Sequence, residues 1–243
     1  MKKLLICLVS VVSVFCLTAC GKSSDNKLVM ATNAAFPPYE NVEGKEVVGI
    51  DPDIAQAIAD DLGMELVIED MAFDSIIAAV QSGKADIGMA GLTVTEDRKQ
   101  NVNFSDPYTQ AAQMIIVNEG SSIQGPDDLV GLTVGVQLGT TGDIYAEDIE
   151  NATIERYSKG FEAVNALIQG KIDAVIIDKE PAKVFVSQSE GLVLIDEEFT
   201  VEDYAICVAK DNTELLDKIN GSLKKLQESG KIDEIISKYI KAE

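Results

Sequence analysis

The chain has 243 residues, 46% of them hydrophobic and 25% charged. That is enough for a sizeable core in one large domain or two small ones, and too apolar for a disordered chain. Acidic residues number 41 against 20 basic, a formal charge of −21, which excludes a nucleic-acid partner because that affinity comes from a basic face. Histidine is absent, which removes Ser-His-Asp and Cys-His nucleophiles and His-ligated zinc. No cofactor or metal is expected. Tryptophan is also absent, so any aromatic clamp must use Phe or Tyr.

Lys2 and Lys3 form a basic start, and Leu4 to Cys16 is apolar apart from two serines. With the small residues that follow, residues 1–19 read as a secretory signal. The apolar run is shorter than the ~20 residues of a spanning helix; an uncleaved anchor is the alternative. Leu17-Thr18-Ala19-Cys20 resembles a bacterial lipobox, which implies cleavage before Cys20 and acylation of its thiol. Residues 20–27 then form a lipidated polar tether. Cys7 and Cys16 leave with the signal, so Cys207 remains alone as a small core residue without a disulfide.

Beyond the tether, short Val- and Ile-rich runs alternate with helical patterns. Strands are expected at 28–32, 65–69, 86–90, 113–117, 133–137, 154–157, 174–177 and 192–195. A helix opens at Asp51-Pro52, with Asp51 as N-cap, and stops at Gly63. Further helices are expected at 75–81, 141–148, 161–169, 181–188, 213–228 and 232–240. This alternation predicts an α/β protein with mostly parallel sheets. The stretch Phe73–Asp86 is echoed by Phe161–Asp173: an apolar helix from Phe to Gln, a Gly-Lys-x-Asp turn, then a buried strand. Two lobes of similar build would explain the echo; a common helix-turn-strand solution arising twice is the alternative.

Ligands sit beyond the carboxyl ends of strands in such sheets, and the residues there are suggestive. Gly91 permits close approach of backbone to a ligand. Thr93 offers a hydroxyl and an N–H. Thr95 reads as the cap of a short helix, which places Arg98 one turn on, where its guanidinium fork suits a carboxylate. Gly139-Thr140-Thr141-Gly142 opens a second helix, whose free N–H groups favour an anion. Asp178 either accepts from an ammonium or caps the helix at Lys179. Together these groups would recognise a zwitterion, although each signal alone is weak.

Across Ala31–Glu40, Gly49–Asp53, Gly91–Arg98, Phe104–Tyr108, Gly135–Thr141 and Ile172–Asp178, the chain resembles the polar amino-acid family of bacterial solute-binding proteins, the extracellular receptors of ABC importers. The resemblance implies a two-lobed periplasmic-binding-protein fold, with two mixed sheets and flanking helices joined by two hinge strands. Lobe one would be 28–112 plus 206–243, and lobe two 113–205. It implies that Arg98, the Thr93 backbone and Thr141 hold an α-carboxylate. Asp178, the Gly91 carbonyl and the Thr93 hydroxyl would hold the α-ammonium, and Phe36 and Phe73 would flank the side chain; the alternative for both rings is plain core. Family members often carry Trp where this chain has Phe73.

Asn33 stands where receptors for cationic amino acids often carry an acid. With Gln137 it suits an amide, so glutamine is favoured, with arginine and cystine behind it; Glu40 either reaches the cleft or faces solvent. The resemblance implies a monomeric receptor, lipid-anchored through Cys20 outside the cytoplasm and serving an ABC permease, with no catalytic residue. The rival readings are a dehydratase on the same scaffold, using Glu40 or Asp178 as its acid, and a sensor without transport.

Overall fold

A computed structural model describes residues 26–198 and 200–241. The expectations for the signal, for Cys20 and for most of the tether lie outside the described residues.

The chain enters through β1 (Lys27–Thr32) and makes a small antiparallel sheet of β2 (Ala35–Phe36), β3 (Glu40–Glu43) and β4 (Glu46–Val48). There follow α1 (Ile50–Leu62), β5 (Glu65–Asp70), a 3-10 turn at Phe73–Ser75, α2 (Ile76–Gln81), β6 (Ile87–Gly88), α3 (Glu96–Asn101) and β7 (Val102–Phe104). The long β8 (Thr109–Asn118) leads into β9 (Thr133–Gln137), α4 (Thr141–Glu147), β10 (Thr153–Tyr157), α5 (Gly160–Ile168), β11 (Ala174–Asp178), α6 (Lys179–Ser187) and β12 (Leu192–Ile195). The chain then returns through β13 (Val201–Tyr204) to β14 (Cys207–Ala209), α7 (Thr213–Glu228) and α8 (Lys231–Tyr239).

Two mixed sheets result. One has the order β5-β1-β6-β14-β7, with β14 antiparallel to both neighbours; the other has the order β10-β9-β11-β8-β12, with β8 antiparallel. Four residues of β8 pair with β13, from Thr109↔Tyr204 to Ala112↔Val201. This ribbon of two strands carries the chain out to the second sheet and back. The architecture is thus two α/β lobes joined by two hinge strands. Among the described residues, no helix is long and apolar enough to cross a membrane.

Helix α1 shows how sequence becomes packing. Ile54, Ala55, Ile58 and Ala59 recur at helical spacing and are all fully buried. Each of the two isoleucines contributes roughly 1.5–3 kcal/mol by leaving water. Gly63, at φ 66°, ends the helix in the left-handed conformation. At the other end the expected cap is corrected: Gly49 occupies the N-cap position and Asp51 lies inside the first turn, buried. Its carboxylate accepts from the Gly91 N–H at 2.8 Å and from the Tyr108 hydroxyl at 2.8 Å. Leaving two such donors unpaired inside the protein would cost more than an exposed cap returns.

The internal echo has a structural counterpart. Asp86 accepts from the Val29 N–H of β1 at 2.8 Å, and its own N–H bonds the Val29 carbonyl. Asp173 does the same with Thr133 of β9, also at 2.8 Å. Each lobe therefore fastens its helix-to-strand turn to a neighbouring parallel strand, β1 in one and β9 in the other, by the same pair of bonds. Cys207, on β14, is fully buried in the core.

Candidate functional site

A narrow cavity lies between the lobes, lined by Asn33, Phe36, Phe73, Gly91, Thr93, Arg98, Gln137, Thr141 and Asp178, together with Glu40, Ala90 and Thr140. All nine residues singled out from the sequence line this one space. Lobe one supplies them from the end of β1, from β2, from the 3-10 turn at Phe73, from the loop after β6 and from α3, and lobe two from the end of β9, the start of α4 and the end of β11.

Arg98 is placed by the short helix α3. Thr95 caps it, its hydroxyl oxygen accepting from the Arg98 N–H at 3.2 Å. Arg98 as a whole is 7% exposed, and its guanidinium is turned inward. It donates to the Thr93 carbonyl at 2.7 Å and, across the cleft, to the Gly139 carbonyl at 2.9 Å. Its Cζ lies 5.4 Å from the centre of the Phe73 ring, a cation–π distance. Burial pulls its pKa below the ordinary value, and the nearby charges of Glu202 and Asp178 oppose that shift.

Asp178 closes β11 at its carboxyl end and begins α6, yet its side chain makes no capping bond. It turns into the cavity and accepts a short hydrogen bond from the Tyr204 hydroxyl on β13. Burial, reinforced by the charge of Glu202 and offset by Tyr204, pushes its carboxyl up to about 7. Glu40 faces the same space and is fully buried. Its carboxyl stands within hydrogen-bonding reach of Asp51 and is held well above the usual carboxylate range, by burial first and by Asp51 second. Asp51 itself is raised to about 6 by burial, moderated by the Gly91 N–H and the Tyr108 hydroxyl.

Asn33 and Gln137 meet across the cleft. Gln137 Nε2 donates to Asn33 Oδ1 at 3.0 Å, and Asn33 Nδ2 donates to the Met71 carbonyl at 2.6 Å. Gly91, at φ +54°, holds a turn that side chains disfavour. A Cβ there would meet the Phe36 ring at 3.0 Å and the Tyr204 ring at 3.1 Å. Phe36 is buried and stacked on Tyr39, whereas Phe73 is only partly covered.

Several lining or supporting groups escaped the sequence. Glu202 on β13 is buried and accepts from the hydroxyls of Thr93 and Thr141, one from each lobe. Gln113 on β8 and Tyr204 complete the hinge side. No element was expected between 195 and 206, so nothing marked a glutamate there as buried. The signal lay in the alternation Val201, Glu202, Asp203, Tyr204, where only the second and fourth face inward.

Two lobes, a hinge ribbon and a charged cavity between them define a two-lobed solute-binding protein. Residues 28–242 match the bacterial extracellular solute-binding proteins, family 3, and the chain belongs to that family. It is 34% identical to the arginine-binding extracellular protein ArtP of Bacillus subtilis (strain 168), over all of both chains. Among solved structures it is similar to an ancestral arginine-binding protein bound to arginine, at TM-score 0.85 and 40% identity, covering 88% of this chain and 98% of that one. The ancestral arginine-binding protein bound to glutamine matches at TM-score 0.84 and 40% identity, covering 89% and 99%. The fold expected from the sequence is that of these structures.

Proposed function

We propose that this chain is a non-enzymatic extracellular receptor that takes a polar L-amino acid into the cavity between its lobes and delivers it to an ABC permease. The observation that carries this reading is the pairing of Arg98 with Asp178: opposite in charge, both buried, and contributed by different lobes to one cavity. Arg98 and the backbone N–H groups at Thr93 and Thr141 hold the α-carboxylate. Asp178, the Gly91 carbonyl and the Thr93 hydroxyl hold the α-ammonium. Phe36 and Phe73 flank the side chain. Residues 28–112 with 206–243 form one lobe and 113–205 the other, and they close about β8 and β13. The receptor stays at the outer face of the membrane through a lipid on Cys20.

Arginine is the first choice of ligand. Relatives named for it support a polar side chain, and the lining sets the single guanidinium of Arg98 against Glu40 and Asp178, with Glu202 directly behind. An α-ammonium answers one carboxylate, and a cationic side chain answers a second. Glutamine comes next, because the two amides that suited it, Asn33 and Gln137, already bond each other; cystine follows. Thermal-shift screening of the twenty amino acids with cystine and ornithine tests the reading, followed by calorimetry on the hits. No stabilisation by any of them would sink it, as would product formation from prephenate or arogenate.

A further inference from the structure

Glu202 occupies the junction of the site. It lies on one of the two strands that cross between the lobes and is 5% exposed. A single oxygen, Oε2, accepts from the Thr93 hydroxyl at 2.7 Å, from the Thr141 hydroxyl at 2.9 Å and from Gln113 Nε2 at 3.4 Å. Gln113 Nε2 also donates to the Thr141 hydroxyl oxygen at 3.2 Å. Arg98, Asp178 and the phenol of Tyr145 are the other charged or titratable groups around it.

A hydroxyl carries one proton. A hydrogen bond to a charged carboxylate is about twice as strong as one to a neutral acceptor, so both threonine protons stay with Glu202. What these hydroxyls then turn toward the cavity is lone pairs. An ammonium placed there finds acceptors; a carboxylate finds oxygen facing oxygen.

We propose that Glu202 is a positioning residue that sets the ligand's orientation and class: by holding the protons of Thr93 and Thr141, it makes that wall of the cavity accept hydrogen bonds only. The wall then selects a free amine, and the ligand's carboxylate is left to Arg98 and to backbone N–H groups. This rests on the amino-acid reading above and narrows one part of it: Thr141 meets the carboxylate through its backbone alone. The Thr141 hydroxyl, already accepting from Gln113 and donating to Glu202, joins the hinge to lobe two and does not donate to the ligand.

The test compares L-arginine with 5-guanidinopentanoic acid, which lacks the α-amine, and agmatine, which lacks the carboxylate, by calorimetry on the full chain. In Glu202→Gln the carboxamide keeps the shape but brings N–H donors of its own, which frees the threonine protons to turn inward. Affinity for L-arginine is expected to fall roughly tenfold or more, while that for the des-amino acid changes less than about threefold. Equal losses for both ligands, or no loss for either, overturn the proposal. Thr141→Val provides a second arm that does not depend on the folding of the first variant. It should leave the ratio of arginine to agmatine affinity within about threefold. A selective loss of the two carboxylate-bearing ligands would show that this hydroxyl donates to the carboxylate and would overturn the proposal. If the wild-type protein binds none of the amino acids screened above, the receptor reading itself falls; if it binds and either ratio goes the wrong way, only the role of Glu202 does.

Discussion

Replacing Asp178 with asparagine pulls apart the two things this carboxyl does: it grips a cation and it burdens the empty fold. Burial, with Glu202 close by, moves its pKa from 3.8 to about 7. The folded chain therefore holds the Asp178 proton more tightly than the unfolded chain does, and stability falls as pH rises from about 4 to about 7. At about 1.4 kcal/mol per tenfold step, charging this group costs the fold up to about 4 kcal/mol above pH 7. Asparagine has no charge to desolvate and can still accept from the Tyr204 hydroxyl. If half of that figure is recovered, about 2 kcal/mol, the ligand-free variant should melt roughly 4–8 °C higher than wild type at pH 8. At pH 4.5, where wild-type Asp178 is protonated, the gain should shrink to about 1 kcal/mol or less. Affinity moves the other way: an ammonium facing a neutral amide should bind at least about thirtyfold more weakly, since losing one member of a buried charge pair costs roughly 2–5 kcal/mol. Calorimetric melting of dialysed protein at the two pH values, with ligand titrations beside it, measures all three quantities. A variant that melts below wild type by the same amount at both values would refute the reasoning.

Arg98→Ala should weaken binding of the amino acid at least about thirtyfold, for the same reason from the other end of the ligand; calorimetry giving near-unchanged affinity would remove Arg98 from the site. Ligand binding should release protons between pH 5 and 7, because an ammonium beside Asp178, raised to about 7, lowers that pKa again. Titrations in buffers of different ionisation heat count those protons, and affinity should rise with pH across this window by at most tenfold per unit for each proton released. Glu40→Gln should lower the affinity for arginine about tenfold more than that for glutamine, as judged from paired titrations, because it removes a buried carboxyl from the cavity wall. Gly91→Ala must fit a methyl 3.0 Å from one ring and 3.1 Å from another at a positive φ, so it should cost about 1–3 kcal/mol in chemical denaturation and weaken binding as well.

Elements with strong periodicity were legible in the sequence. The spans expected for β9, β12 and α7 coincide with those observed, because apolar spacing and the polar face of α7 leave little choice. The hairpin β2–β4 and the strands β7 and β13 were not legible. They are two to four residues long, too short for a periodicity to show; β3, β4 and β13 also carry charge, and β7 and β13 owe their pairing to partners far along the chain. The same division holds at the cavity. Arg98, Thr93 and Asp178 stand at strand ends or beside caps that local chemistry marks. Glu202 and Gln113 support the cavity from behind only because the hinge ribbon brings residues 89 positions apart into contact. Asp51 shows the opposite error: it reads as a cap locally, and a tertiary partnership claims it instead.

The ribbon of β8 and β13 has a topological consequence. The chain runs out toward lobe two past Ala112 and comes back past Val201, and those two residues are register partners on adjacent strands, about 4.8 Å apart in the pairing direction. The outer half is therefore a cassette whose entry and exit sit side by side. A tight turn joining 112 to 201 would excise it without asking the remaining sheet to change its strand order. Grafts could move in the other direction just as simply, giving one base a series of interchangeable jaws.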